Sequence, residues 1–202
     1  MNTSQISAKK AGLKLLALSR IALHMETSKL RILMKSFIEA QFSYCPLIWM
    51  YHSRKLNNRI NRIHERALRI AYHDQISSFD ELLIKDNSIT IHERNIRCLA
   101  TEMFKTKNNL NPSFLKQIFP TSNNVVNLRC KPSFQTFNVK SVYNGSETVS
   151  FRGPQIWSTL PDYIKESQTL LEFNNKINKW KPKGCMCRLC KTYIKDVGFI
   201  NC

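Results

Sequence analysis

Between Ser53 and Tyr72 the residues Leu56, Ile60, Ile63, Ala67 and Ile70 recur at steps of four and three, the spacing that a buried helical seam must have. Ser53 stands where an N-cap belongs. One position ahead of the seam, Lys55, Arg59, Arg62, Arg66 and Arg69 repeat the same steps, so five cations are expected to line a ridge beside it. A solvated helix face ordinarily intersperses acids at i,i+4, and here only Glu65 offers one. Two readings stand open: a basic face on a basic protein, or a ridge that tracks phosphates, whose oxygens suit arginine forks. Ahead of the helix lies an aromatic and apolar cluster of Phe42, Tyr44, Leu47, Ile48, Trp49, Met50 and Tyr51, interrupted by Pro46 as a break or kink.

The preceding chain is helical by the same test. Ala8, Ala11, Leu15, Leu18, Ala22 and Met25 predict a helix of about five turns, with Lys9, Lys10, Lys14 and Arg20 on its outside. Thr27 or Ser28 is placed to cap a second helix in which Leu30, Leu33, Met34, Phe37, Ile38 and Gln41 repeat the pattern. Two such faces need each other and the Ser53–Tyr72 helix, which predicts a bundle around the aromatic cluster. Ser78 with Glu81, and Thr90 with Glu93, form capping boxes over two further helices, the second burying Ile96, Leu99, Ala100, Met103 and Phe104. Pro112 is set to begin a short helix through Phe119, and Pro120 closes the helical half.

From Thr121 the composition shifts to Asn, Ser, Thr and Val, and the helical period is lost. Phe137 and Val139, then Val149 and Phe151, alternate as strand residues around a three-residue loop, Asn144 to Ser146, that keeps both pairs on one face. Gly153 to Trp157 reads as a turn and short helix carrying an aromatic plug. A last helix, capped by Thr169 and Glu172, buries Leu170, Phe173, Ile177 and Trp180. The expected fold is therefore mainly α: a helical bundle over residues 1–120, a β-hairpin-containing region over 121–166, a helix over 167–182 and a Cys-rich tail over 183–202.

The chain has 202 residues and is 43% hydrophobic, enough for a real core. Lys and Arg number 31 against 14 acids, giving a net charge of +17; this points to a polyanion, nucleic acid first and an anionic membrane surface second. The polar N-terminus lacks a signal-peptide core, and no apolar run is long enough to span a membrane. The expectation is an intracellular protein of nucleus or cytoplasm.

Cys185, Cys187 and Cys190 form C-x-C-x-x-C among cations, with Cys202 as a fourth thiol. Such crowding under reducing conditions fits a tetrahedral zinc ion, with a plain thiol-bearing tail or a redox role as alternatives. For the zinc reading, equilibrium dialysis should find one zinc ion per chain and lose it in Cys190→Ser. No catalytic residue is assigned. Asp74, Asp80, Asp86, Asp162 and Asp196 are isolated on separate elements, where a two-metal polymerase or nuclease needs carboxylates set to hold both ions. Five scattered glycines exclude a phosphate-binding loop, and His64-Glu65 and His92-Glu93 lack the second His of a zinc protease. His64 is expected partly packed or facing phosphate, His52 and His73 as capping or loop residues, and Trp49, Trp157 and Trp180 as core anchors.

The run Lys35 to Trp49 (KSFIEAQFSYCPLIW), His64 to Ile70 (HERALRI), Arg152 to Trp157 (RGPQIW) and Cys187 to Thr192 (CRLCKT), in that order, resembles the C-terminal end of a non-LTR (LINE-type, jockey-like) retrotransposon reverse transcriptase. The resemblance implies that Ala8 to about Phe119 corresponds to the thumb and following helices, which grip RNA or an RNA/DNA duplex. It implies that the Cys-rich end is a nucleic-acid-associated module. The palm with its paired aspartates would lie ahead of residue 1, as part of an RNA-directed DNA polymerase of which this is a truncated or split copy, non-catalytic on its own. Rival expectations are a domesticated protein-interaction module and a decayed open reading frame.

Overall fold

The computed structural model describes residues 3–51, 53–121, 134–135 and 148–181. Its described part is mainly helical, and within it the only β pairing is an isolated bridge between Thr121 and Phe134. The chain divides into two compact units, Met1–Asn95 and Ile96–Cys202.

The first unit runs through α1 (Thr3–Ile21), α2 (Thr27–Phe37), α3 (Pro46–Trp49), α4 (Arg54–Tyr72), α5 (Phe79–Asp86) and the start of α6 (Ile91–Lys107), with 3₁₀ turns at Ala22–His24 and Glu39–Phe42. Helix α4 packs on α1, α2 and α5. Ala8, Ala11, Leu15 and Leu18 from α1, Leu30 and Met34 from α2, then Ile38, Phe42 and Trp49, close over Ile60, Ala67 and Leu68 of α4 in one apolar cluster. Phe42 and Trp49 meet edge to face at 6.3 Å, and the Trp49 Nε1–H donates to the Tyr44 carbonyl at 2.9 Å. The aromatic centre expected of the bundle is thus present, although Tyr44 and Ile48 point to solvent.

The helix starts are set by short polar side chains that accept from otherwise unpaired backbone N–H groups. The Leu56 amide donates to Ser53 Oγ at 3.4 Å. At α5 the box is reciprocal: Ser78 N donates to Glu81 Oε2 at 2.6 Å and Glu81 N to Ser78 Oγ at 3.3 Å. Thr90 and Glu93 repeat it at 3.0 and 3.2 Å. Helix α2 differs from expectation: neither Thr27 nor Ser28 caps it, and Glu26 occupies the N-cap without a side-chain bond. Pro46 interrupts the chain by opening a helix: it sits at the first turn of α3, behind Cys45 at φ 44°. A proline there loses no intrahelical hydrogen bond.

The second unit holds the rest of α6, α7 (Leu115–Ile118), α8 (Val149–Thr159), α9 (Asp162–Lys165) and α10 (Leu170–Ile177). Thr169 caps α10, accepting from Glu172 N at 3.2 Å, while the Glu172 carboxylate receives Gln168 N at 2.9 Å. Trp157 anchors an aromatic chain, lying 5.4 Å from Phe134 and 6.3 Å from Phe173, which stacks on Phe104 at 4.3 Å. Trp49 and Trp157 are buried as expected; Trp180 is half-buried, and its carbonyl accepts the Arg97 Nε–H at 2.9 Å.

Val149 and Phe151, expected in a strand, lie in the first turn of α8, whose N-cap Thr148 accepts from the Phe151 amide at 3.3 Å. Gly153 and Pro154 lie inside that helix and not in a turn before it. The remaining hairpin residues, Phe137, Val139 and Asn144 to Ser146, are outside the described residues. Tertiary packing explains why this helix carries Gly153: a Cβ there would stand 2.8 Å from Phe119 Cε1 and 3.1 Å from Met103 Sδ. Gly153→Ala should therefore destabilise this unit despite the helical preference of alanine. Overpacking at about 1–3 kcal/mol exceeds a propensity gain of about 1 kcal/mol. Thermal unfolding that shows a higher midpoint would contradict this.

Candidate nucleic-acid interface

Helix α4 carries the expected row, and the structure decides which way it faces. The buried set on this helix is Asn57, Ile60, Ile63, His64, Ala67, Leu68 and Ala71. At about 100° per residue its centre falls roughly 160° from the mean direction of Lys55, Arg59, Arg62, Arg66 and Arg69. The cations therefore stand opposite the core and not beside it, and Leu56 and Ile70, counted into the seam from the sequence, are only half-buried.

Lys55, Arg59, Arg62 and Arg66 are exposed, and among the described residues none of them enters an ion pair. Arg69 differs: its Nη2 meets Glu65 Oε1 at 2.8 Å, and its side chain is mostly covered. The one acid of α4 is thereby spent on the last cation of the row. Lys55, Arg59 and Arg62 share an open depression with Asn58, and Arg54 extends the exposed charge at the helix start. Neither Asn58 nor Arg54 belongs to the expected site. The signal that could have found Asn58 is the period itself, because it precedes Arg62 by four residues. From Lys55 to Arg69 the row runs about 21 Å at 1.5 Å per residue.

Two details mark the row as energetically unfavourable in the free protein. Arg54 and Lys55 occupy the first turn, where the helix dipole favours anions, and no acid stands there. Lys55/Arg59, Arg59/Arg62, Arg62/Arg66 and Arg66/Arg69 are like-charge neighbours three or four residues apart. Each feature costs a few tenths of a kcal/mol, and an approaching polyanion would relieve both.

The inner side of α4 is held by two polar clasps. His64 is buried instead of facing phosphate: its ring lies edge-on to Phe79 at 5.6 Å, and Nε2 is 3.7 Å from Glu39 Oε1. Arg94 meets the other Glu39 oxygen at 3.2 Å. Burial pushes the Glu39 carboxyl up, but His64, Arg94 and Lys35 together draw it below its ordinary value. At the far end, Asp86 Oδ1 accepts from the Tyr72 hydroxyl at 2.8 Å and Arg31 Nε at 2.7 Å, with the Lys35 ammonium 3.8 Å from Oδ2. The loop after α4 is tied down by Asp74, whose carboxylate accepts from the amides of Ile76 and Ser77 at 3.1 and 3.0 Å and from Lys85 at 3.2 Å. His73 ends α4 in the left-handed region at φ 51°. The site is thus a rigid helix presenting cations to one side.

Cys185, Cys187, Cys190 and Cys202, the candidate zinc ligands, lie outside the described residues, as does His52. Among the described residues no three of His, Cys, Asp and Glu gather as a metal site requires, and no helix is long and apolar enough to cross a membrane. Of the described aspartates, Asp74 also accepts from the Ser77 hydroxyl at 2.8 Å and Asp86 is engaged by Tyr72, Arg31 and Lys35; Asp196 lies outside the described residues. Comparison of the chain with protein-family models, curated proteins and solved structures finds no match.

Proposed function

We propose that this chain is a nucleic-acid-binding segment without catalysis of its own, which holds RNA or an RNA/DNA duplex along the outer side of α4, as the C-terminal part of a non-LTR reverse transcriptase would. The observation that supports this is the set of four exposed cations, Lys55, Arg59, Arg62 and Arg66, unmatched by carboxylates among the described residues and set opposite the core. Arginine forks donate paired N–H bonds to phosphate oxygens, and a helix offers them at a repeat that a backbone of phosphates can follow. The partner that would complete the enzyme is a polymerase palm carrying paired aspartates, supplied by an upstream segment or another chain.

Binding should then be dominated by counterion release. If four cations each neutralise one phosphate, log K against log salt should fall with a slope of about −2.8 on single-stranded RNA, steepening toward about −3.6 on a duplex. Fluorescence anisotropy with RNA and RNA/DNA oligonucleotides across a salt series measures it. A salt-indifferent affinity, or none at low ionic strength, overturns the reading. The purified chain should extend no primer; extension without an added palm would equally remove it.

A further inference from the structure

The exposed residues of α4 are Arg54, Lys55, Asn58, Arg59, Arg62 and Arg66. This strip exposes no aliphatic or aromatic side chain that could anchor it in a membrane or in the groove of a protein partner, and every member but Asn58 is a cation. Asparagine is a poor helix former in a helix interior and is ordinarily found where its carboxamide secures the backbone. Asn108 and Asn111 do so at the end of α6, donating to the Phe104 and Glu102 carbonyls at 3.0 and 3.1 Å. The Asn58 carboxamide has no hydrogen-bond partner among the described residues, and it caps nothing, since Ser53 begins the helix.

Its place in the row decides what it can meet. Asn58 lines one open depression with Lys55, Arg59 and Arg62, and its side chain is the shortest of the four. Lys55 lies about 4.5 Å behind it along the helix axis and Arg62 about 6 Å ahead, and Asn58 leaves the helix about 60° to one side of the row. Where the cations on either side of it hold successive phosphates, the group between those phosphates is the sugar. A phosphate oxygen only accepts hydrogen bonds, whereas a carboxamide both donates and accepts. The sugar-phosphate group that also does both is the 2′-hydroxyl of RNA, which DNA lacks. We infer that Asn58 is the residue by which this face tells RNA from DNA, its carboxamide bonding a ribose 2′-hydroxyl between phosphates held by the flanking cations. The inference rests on the nucleic-acid reading of α4 and adds to it the chemistry of the strand that is held.

The test uses the full chain and labelled single strands of one sequence made as RNA, as the 2′-fluoro strand, which keeps the sugar pucker of RNA without its hydroxyl, and as DNA. Fluorescence anisotropy should show the wild type binding RNA about two- to tenfold more tightly than the 2′-fluoro strand, the worth of one hydrogen bond. In Asn58→Ala the RNA affinity should fall to that of the 2′-fluoro strand. Affinity for the 2′-fluoro strand and the slope against salt should stay as they were, because a neutral residue releases no counterion. Inorganic polyphosphate, which carries the charge without a sugar, should compete equally well in both proteins. Asn58 is exposed and alanine favours the helix, so the variant should remain folded. Equal affinity of the wild type for RNA and the 2′-fluoro strand, a preference that survives in Asn58→Ala, or a loss shared by all strands and polyphosphate overturns this inference and leaves the polyanion reading standing. Absence of salt-dependent binding to every strand overturns both.

Discussion

Asp86→Ala should lower the stability of the first unit by about 2–3 kcal/mol, read as a reduced denaturation midpoint without loss of cooperativity. Asp86 is the last residue of α5, where the helix dipole favours a cation and penalises a carboxylate. Its side chain is nevertheless fully covered, with Tyr72, Arg31 and Lys35 converging on it. Breaking a wholly buried ion pair costs about 3–5 kcal/mol because a stranded charge remains inside. Here Arg31 and Lys35 are 38% and 48% exposed and can turn to water, so the expected penalty is smaller. The Tyr72 hydroxyl loses its short bond to Asp86 and keeps only the Lys85 carbonyl, at 3.5 Å. Asp86→Asn, which keeps an acceptor oxygen and gives up the charge, should cost less than Asp86→Ala, and Tyr72→Phe should cost about 1 kcal/mol. A double-mutant cycle between Tyr72 and Asp86 that returns no coupling would refute the clasp.

The clasp also makes stability depend on pH in a stated direction. Burial alone would raise the Asp86 carboxyl, but hydrogen bonds from Tyr72 and Arg31, with the Lys35 charge, hold it below the usual carboxylate value. A depressed carboxylate contributes stability above its unfolded value of about 4 and loses it as pH falls through the folded value. Acid should therefore unfold the wild type more steeply than Asp86→Asn. Tyr72 works at the other end: burial, then the bond to Asp86, pushes its hydroxyl up to about 12. Its contribution is complete below pH about 10 and is withdrawn between there and the folded value.

How much of this is legible in the sequence depends on how local the cause is. Ser53, Ser78/Glu81, Thr90/Glu93 and Thr169/Glu172 are all readable as helix starts, because a cap needs only a side chain and an amide three residues on. Sequence reasoning fails where tertiary packing decides. It places the α4 ridge beside the seam because it follows only the row Leu56, Ile60, Ile63, Ala67 and Ile70. Asn57 and His64 are polar yet buried, and together with Leu68 and Ala71 they rotate the buried side away from the cations. Asp86 reads as a stray acid, since nothing near it in sequence announces Arg31, 55 residues earlier. Val149 and Phe151 alternate as a strand would, but their neighbours put them on a helix over Phe119 and Met103, where period-two spacing is incidental.

Arg62→Ala with Arg66→Ala should move stability and affinity in opposite directions, which separates a ligand-binding row from a solvated one. Both side chains are exposed and unpaired among the described residues, so their removal opens no cavity and strands no carboxylate. It relieves three like-charge repulsions, with Arg59, between the two residues themselves and with Arg69, each destabilising by about 0.2–0.5 kcal/mol at low ionic strength. Alanine is in addition the best helix former. The double variant should thus be more stable than the wild type by about 1 kcal/mol in dilute buffer, with the gain shrinking as salt screens the repulsion. Affinity for RNA or RNA/DNA should fall by at least tenfold at low salt, and the slope of log K against log salt should flatten by about 1.4 to 1.8, because two phosphates are no longer neutralised. Charge reversal at the same positions should abolish binding at any salt concentration while the helix remains folded, since Glu ranks close to Arg as a helix former. A variant that gains stability and keeps its full affinity and slope would make the row mere surface charge. One that loses both stability and affinity would show that these arginines support the fold, in contradiction to their exposure. Only a gain in the first with a loss in the second fits a helix whose self-repulsion is held in reserve for a polyanion.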